Sequence, residues 1–403
     1  MLQFSDMLKL GVYIQVPFCQ TKCTYCNFRT GVVSSGRFAP YAEAVCLEIR
    51  EHRPRLEGAG VRLRDALGAA HLAVDTVYVG GGTPSLLEAG LLRQMMQTLA
   101  ASFSCSLEEV TLEADPETIE EEQTAAWVAA GFNRISFGSQ SFIDAELKAA
   151  GRMHRREHIY RAVPILRAAG IQNISFDLIA GLPKQTHASW RQSLQEAVSL
   201  GPEHISIYMM EIDEGSRLGR EVLQGGTRYS AKELPSEAAM VEFYGLAQSE
   251  LRAAGYAQYE ISNWAKPGFA SRHNQKYWQR QPYLGFGAGA HSFSGMQRWA
   301  NRHDAAAYVR AITEGNSAVE TLDAVTSAMA LEEELFLGLR QLSGIDLPRI
   351  EREYGVNFTA SVAQLAASGM VERHSGRLRL PPERLSVSNE IIVELLRSLH
   401  ATV

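Results

Sequence analysis

The sequence predicts an α/β protein, an open or partial (β/α)6 barrel followed by a small winged-helix-like α+β module. Three observations predict it. Six apolar or β-branched runs alternate with amphipathic stretches, polar residues collect where those runs end, and the pattern turns largely helical after about residue 295.

The strand-like runs are residues 12–16, 74–79, 110–113, 133–137, 174–179 and 204–209. Each is short and nearly continuous in apolar residues, as parallel strands covered on both faces are. Between them, 41–56, 86–103, 118–130 and 155–169 repeat apolar residues at helical spacing. Such an alternation places its chemistry at the C-terminal ends of the strands. From Leu331 the chain reads EEELFLGLRQL, DLPRIEREYG and FTASVAQLAASG as three helices, then MVERHSGRLRLP as a hairpin. The expected division is a barrel at 1–240, a barrel-covering region at 241–325 and the winged-helix-like module at 326–403.

Bulk composition narrows the function. With 403 residues, 46% hydrophobic and 21% charged, the chain is an ordinary globular protein. No window approaches the ~20 apolar residues of a membrane span. The start, with Asp6 and Lys9, lacks a basic leader and a cleavage site, so a cytoplasmic location is expected. A net charge of −6, and 8 Lys/Arg against 10 Asp/Glu in 326–403, argue against nucleic acid as a partner. Five cysteines, three of them crowded together, do not make a secreted disulfide scaffold.

Those three, Cys19, Cys23 and Cys26, stand in PFCQTKCTYCNF with C-x3-C-x2-C spacing just after the first strand. Three thiolates this close can hold one face of a [4Fe–4S] cube and leave its fourth iron for a small molecule. A zinc knot would need a fourth ligand from Cys46, Cys105 or a histidine. A redox C-x-x-C pair normally opens a helix in a thioredoxin-like setting. The loop position favours the cluster.

The second strand runs into Gly80, Gly81, Gly82, Thr83 and Pro84. Glycines there let backbone approach a ligand closely, although alone they describe a plain strand-to-helix turn. Later strands end at Glu113 in TLEADPE, Gln140 in ISFGSQSF and Asp177 in ISFDLIAGLPKQT, with Arg152 in LKAAGRMH. Two carboxylates, an amide and a guanidinium offer the donors and acceptors that a nucleoside and an amino acid need.

The C-x3-C-x-Tyr-C motif resembles the radical-SAM superfamily signature. YIQVPFC, CTYCNF, GGGTPS, EADPE, ISFGSQSF, DLIAGLPKQT and HNQKYW together resemble the oxygen-independent coproporphyrinogen III oxidase-like family from about Gly11 to Trp299. The resemblance implies a radical-SAM barrel with Cys19, Cys23 and Cys26 on the cluster. It implies S-adenosylmethionine contacts at Tyr13, Tyr25, Gly81, Gly82, Thr83, Glu113, Gln140, Arg152 and Asp177. The chain departs from the family at Gln15, where histidine is usual.

Two branches of that family differ at three places. Asn27 follows Cys26 where the oxidases resemble C-x-C; the segment before the first strand is short where theirs is long; and HNQKYW resembles the HNxxYW motif of the heme-chaperone (HemW) branch. His273 in that motif is a candidate axial ligand for heme iron, with Tyr277 and Trp278 offering flat apolar surface. On the residues alone, an ordinary capped loop accounts for it equally well. A second glycine-rich stretch, 285–293, ends near His291, another candidate. The implied function is a heme chaperone holding a [4Fe–4S] cluster, S-adenosylmethionine and heme. Its partners would be a reduced electron donor and an acceptor hemoprotein, respiratory and membrane-bound, met peripherally or through the partner. Homodimerisation is one role for the cluster under this resemblance and gating of transfer the other. The rival is coproporphyrinogen III oxidase, an enzyme of porphyrin biosynthesis; a zinc-stabilised barrel with a docking module is the third reading.

Overall fold

The computed structural model describes residues 8–63 and 72–400. All six expected strands form: β1 (Leu8–Val16), β2 (Leu72–Gly81), β3 (Ser104–Ala114), β4 (Arg134–Gln140), β5 (Asn173–Ala180) and β6 (His204–Met209). They lie side by side in chain order, every pair parallel. Between them run α1 (Phe38–Arg50), α2 (His52–Gly58), α3 (Ala89–Ser102), α4 (Glu121–Ala129), α5 (Asp144–Ala149), α6 (Arg156–Ala168) and α7 (His187–Ser199). β1 and β6 do not pair with each other, so the barrel stays open. The helix expected over 41–56 breaks at Glu51 into α1 and α2. Pro54 explains the break, since it has no N–H to offer the Arg50 carbonyl.

The strands alternate. Val12, Ile14 and Val16, Val77 and Val79, Val110 and Leu112, and Phe176 and Leu178 pack into the core between sheet and helices. Their neighbours Tyr13 and Gln15, Thr76 and Tyr78, Glu109 and Glu113, and Ser136 and Asp177 are polar, and successive strands bring them into register. The expected unbroken apolar runs are therefore half-apolar. The barrel interior is a polar space, and only the outer face is hydrophobic core.

The next segment contains α8 (Arg217–Leu223), α9 (Glu237–Ala253), β7 (Ala257–Glu260), β8 (Asn263–Ala265), α10 (Arg272–Trp278), β9 (Tyr283–Phe286), β10 (His291–Phe293), β11 (Gln297–Asn301), α11 (Ala305–Thr313) and β12 (Val319–Ala324). β9 joins β1 in parallel, and β10, β11 and β12 continue from it antiparallel. β8 and β7 extend the other edge from β6. The region expected to cover the barrel thus widens its sheet to 12 strands.

The C-terminal module has the three expected helices, α12 (Ser327–Gly338), α13 (Leu347–Tyr354) and α14 (Thr359–Ala367), and the hairpin β13 (Glu372–His374) and β14 (Arg377–Arg379). A further helix, α15 (Ser388–His400), buries Ile391, Ile392 and Leu395. Arg280 and Arg298 both reach Glu333, tying the module to the sheet at 2.9 and 2.8 Å. No helix among the described residues is long and apolar enough to cross a membrane.

Candidate cofactor site

A cavity of about 470 Å³ opens at the C-terminal ends of the strands, within the usual size of a small-molecule site. Ten of the expected positions line it: Cys19, Cys23, Cys26, Tyr25, Gly81, Gly82, Thr83, Glu113, Gln140 and Arg152; Asp177 is also there.

The cysteine loop is held by backbone on three sides. Phe18 bridges to Gly31 and packs against Phe38 and Tyr41, with ring centroids 5.1 and 4.9 Å away. Thr24 N donates to Ala150 O at 3.0 Å, and Leu218 N donates to Thr24 O at 2.7 Å. The loop is thereby fixed before any ligand arrives. Cys46 lies buried in the core and Cys105 at the start of β3, neither on the cavity. No three His, Cys, Asp or Glu among the described residues close on a single metal ion. Three thiols spread along one wall instead suit a cluster, whose irons are each held by a separate cysteine.

The glycine loop is stitched to that strand. Gly82 N donates to Val16 O at 2.8 Å and Thr83 N to Phe18 O at 2.6 Å. Gly81 sits at φ 112°, a backbone region that favours glycine, and a Cβ there would collide with the Gln15 amide. Its N–H donates to Glu113 Oε2 at 2.8 Å, and Tyr78 OH donates to Glu113 Oε1 at 2.8 Å. Burial pushes Glu113 up to about 7 against both of those bonds. Burial also lifts Asp177 to about 6, opposed by the Ser206 and Ser136 hydroxyls. Two carboxyls so raised are poised to ionise against a cationic ligand.

Arg152 pairs with Asp115, donates to Gly138 O at 2.9 Å and approaches Cys23 Sγ at 3.5 Å. Gln140 adopts φ 55°, and its Oε1 is buried with no hydrogen-bond partner. A strained residue with an orphaned acceptor on a cavity wall points to a ligand donor. Asp115, Ser136, Tyr208 and Thr30 line the cavity as well, without having been expected. For Asp115 the signal was present: it lies two residues beyond Glu113, on the same side of a strand end.

Tyr13 is not on the wall. It stands behind it, with its OH donating to Gln15 Oε1 at 2.6 Å. His291 lies exposed on β10, and Gly287 in the same stretch is pressed against Gln15 O and Tyr41 OH, a close-packed turn.

His273 is on α10, which plugs the opposite end of the barrel. Glu109 caps that helix, accepting from Ser271 Oγ, Arg272 N and His273 N at 3.1, 3.0 and 2.9 Å. Lys276 pairs with buried Asp75 at 2.8 Å. The His273 ring is 1% exposed, with Nδ1 bonded to Thr76 Oγ1 at 3.0 Å and Nε2 to Tyr277 OH at 2.8 Å. Burial, with Lys276 nearby, drives it down to about 3, so it is a neutral ring with both nitrogens engaged.

The Radical SAM superfamily model matches residues 13–197 and the HemN C-terminal domain model matches 325–383. Heme chaperone HemW of Bacillus subtilis is 33% identical over 96% of this chain and 100% of its own length. The chain belongs to the HemW family of radical SAM proteins.

Other relatives agree. The Escherichia coli HemW is 32% identical over 70% of this chain and 69% of its own, and mouse radical S-adenosyl methionine domain-containing protein 1 is 31% identical over 98% and 89%. Among solved structures, coproporphyrinogen III oxidase (HemN) from Escherichia coli superposes with a TM-score of 0.81, covering 97% of this chain and 90% of that one. At 22% identity this likeness establishes the shared fold. Radical SAM membership implies a [4Fe–4S] cluster and S-adenosylmethionine. The cavity of this HemW-family chain fits both in donor chemistry: three thiols on one wall, two raised carboxyls and an unpartnered amide on the others.

Proposed function

We propose that this chain is a heme chaperone that holds a [4Fe–4S] cluster and S-adenosylmethionine and passes heme to an acceptor hemoprotein. The observation that carries the reading is the full-length similarity to a protein named as a heme chaperone, 33% identical over 100% of its length.

In this reading Cys19, Cys23 and Cys26 hold three irons of the cluster. When bound, the cluster supplies an electron to the S-adenosylmethionine chelated on its fourth iron. The chain's own residues bind and orient. Glu113 and Asp177 face the cationic part of the ligand, and Gln140 Oε1 accepts a donor from it. Gly81, Gly82 and Thr83 give it a backbone wall, Tyr25 packs beside it, and Arg152 steadies both Asp115 and Cys23. Tyr13 contributes through Gln15.

Heme ligation by His273 remains part of the proposal with one structural requirement. The ring has no free nitrogen while α10 fills the barrel end, so heme iron reaches it only when α10 moves out. The acceptor is proposed to be a membrane-bound respiratory hemoprotein, met through that partner, and an external reductant to supply the electron. The cluster would support homodimerisation or gating of transfer.

The test is heme titration of the anaerobically reconstituted protein, followed by transfer to an apo-hemoprotein, with a parallel coproporphyrinogen assay. Stoichiometric binding and transfer without turnover are expected. Formation of protoporphyrinogen would establish the oxidase instead. His273→Ala should weaken heme binding and leave the cluster absorbance intact; unchanged heme affinity would remove His273 from the site.

A further inference from the structure

The three cysteines do not have equivalent surroundings. Cys23 has the Arg152 guanidinium beside its sulfur at 3.5 Å. Cys19 and Cys26 have a hydroxyl, supplied by Thr30. After Cys26 the chain doubles back: Lys22 Nζ donates to Phe28 O at 3.0 Å, Gly31 N to Pro17 O at 2.9 Å, and Cys19 N to Gly31 O at 3.1 Å. The Phe18–Gly31 bridge closes this return. Thr30 is thereby carried to the cavity wall, where its hydroxyl faces the Cys19 and Cys26 thiols.

Thr30 Oγ1 is buried and makes no hydrogen bond. A buried hydroxyl without a partner is destabilising by roughly 1–3 kcal/mol, so its position needs a reason. A neutral thiol is a weak acceptor. A sulfur bonded to iron carries negative charge and is a much better one.

We propose that the Thr30 hydroxyl donates a hydrogen bond to the cluster's cysteine sulfurs at Cys19 and Cys26, one at a time, and so raises the cluster's reduction potential. Hydrogen bonds to cluster sulfurs stabilise the more negative, reduced state. The inference rests on the cluster being held by the three cysteines. Arg152 plays the same part for Cys23, but its ion pair with Asp115 makes it a poor probe.

The experiment is a redox titration of the reconstituted protein, followed by electron paramagnetic resonance of the reduced cluster, for wild type, Thr30→Val and Thr30→Ser. In Thr30→Val the reduced-to-oxidised ratio at fixed poise should fall three- to tenfold, tenfold being ~59 mV for a one-electron couple. Thr30→Ser should restore the wild-type value, since it keeps the hydroxyl and loses only a methyl. Equal potentials in wild type and Thr30→Val would overturn the proposal. If Thr30→Val fails to retain a cluster, Thr30→Ala decides: a cluster at lowered potential supports the hydroxyl's role, and one at wild-type potential refutes it. Loss of the cluster in Thr30→Ser as well would make Thr30 a packing residue and also refute it. Absence of any cluster in wild type would count against the cysteine assignment itself, a result distinct from all of these.

Discussion

At the α10 end of the barrel, Glu109 accepts from three donors, Lys276 meets Asp75, and His273 uses both ring nitrogens. At the cavity end, a few residues along the same strands, Gln140 Oε1 and Thr30 Oγ1 are buried without a partner, and Glu113 and Asp177 are held near neutrality by burial. Both ends place polar side chains in low-dielectric surroundings, where an unmade bond is costly. One end answers with a helix of its own chain. The other is left for ligands to complete. Sequence type does not separate the two; what separates them is whether the partner is covalently part of the chain.

The largest effect that would sharpen this contrast is at the cysteines. Replacing any one of Cys19, Cys23 or Cys26 with alanine should abolish the broad visible absorption of the reconstituted protein. The apo protein's unfolding free energy should change by no more than ~0.5 kcal/mol, since these partly exposed thiols contribute little to packing. A large stability loss on those substitutions would erase the distinction between the ends.

Asp75→Ala tests the plugged end. It leaves the buried Lys276 ammonium without its carboxylate, which should destabilise the protein by roughly 3–5 kcal/mol in denaturant unfolding. Cluster absorbance below the transition should be unaffected. Coupled loss of the cluster at native temperature would mean that the plug supports the cavity directly.

A third effect reads the cavity's electrostatics through pH. Glu113 rises from an ordinary 4.5 to about 7 on folding, so the folded state favours its protonated form. Its contribution is complete below the unfolded value and is lost as pH rises from about 4.5 through about 7. Glu113→Gln should therefore match wild type at pH 4 and exceed it by up to about 3 kcal/mol at pH 8, at ~1.36 kcal/mol per unit. Parallel pH–stability curves for the two apo proteins would show that Glu113 is already compensated. Saturating S-adenosylmethionine should shrink the difference, because a cation then faces the carboxylate.

Much of this arrangement was readable in the residues, for reasons that also explain what was not. The six parallel strands declare themselves through runs such as VDTVYVGG and ISFDLIA, and the cysteine spacing names a cluster without geometry. β9, β10 and β11 are only 4, 3 and 5 residues long and pair with strands far away in sequence, so no local pattern announces them. The interior polar residues were read as interruptions in apolar runs, although their period of two was the mark of a face lining a cavity. Thr30 carried no signal, because a threonine in a loop becomes informative only when its hydroxyl is found buried and unpartnered. His273 is the reverse case: the residue type suggested a ligand, and only burial shows that its nitrogens are already taken.

Tyr78 is where the two ends meet, and it offers the smallest and most discriminating test. Its ring faces His273 with centroids 5.4 Å apart, while its hydroxyl donates to Glu113 at 2.8 Å. Tyr78→Phe keeps the ring, so packing against the plug should survive and unfolding free energy should fall by only about 1 kcal/mol. The lost bond leaves Glu113 freer to turn from Gly81 and less willing to ionise. S-adenosylmethionine affinity, read from the ligand's effect on the cluster spectrum, should weaken about fivefold, equivalent to about 1 kcal/mol. Should affinity stay constant while stability drops by more than about 3 kcal/mol, the hydroxyl serves the packed interior. The boundary between the two ends would then lie nearer the glycine loop than the polar pairs suggest.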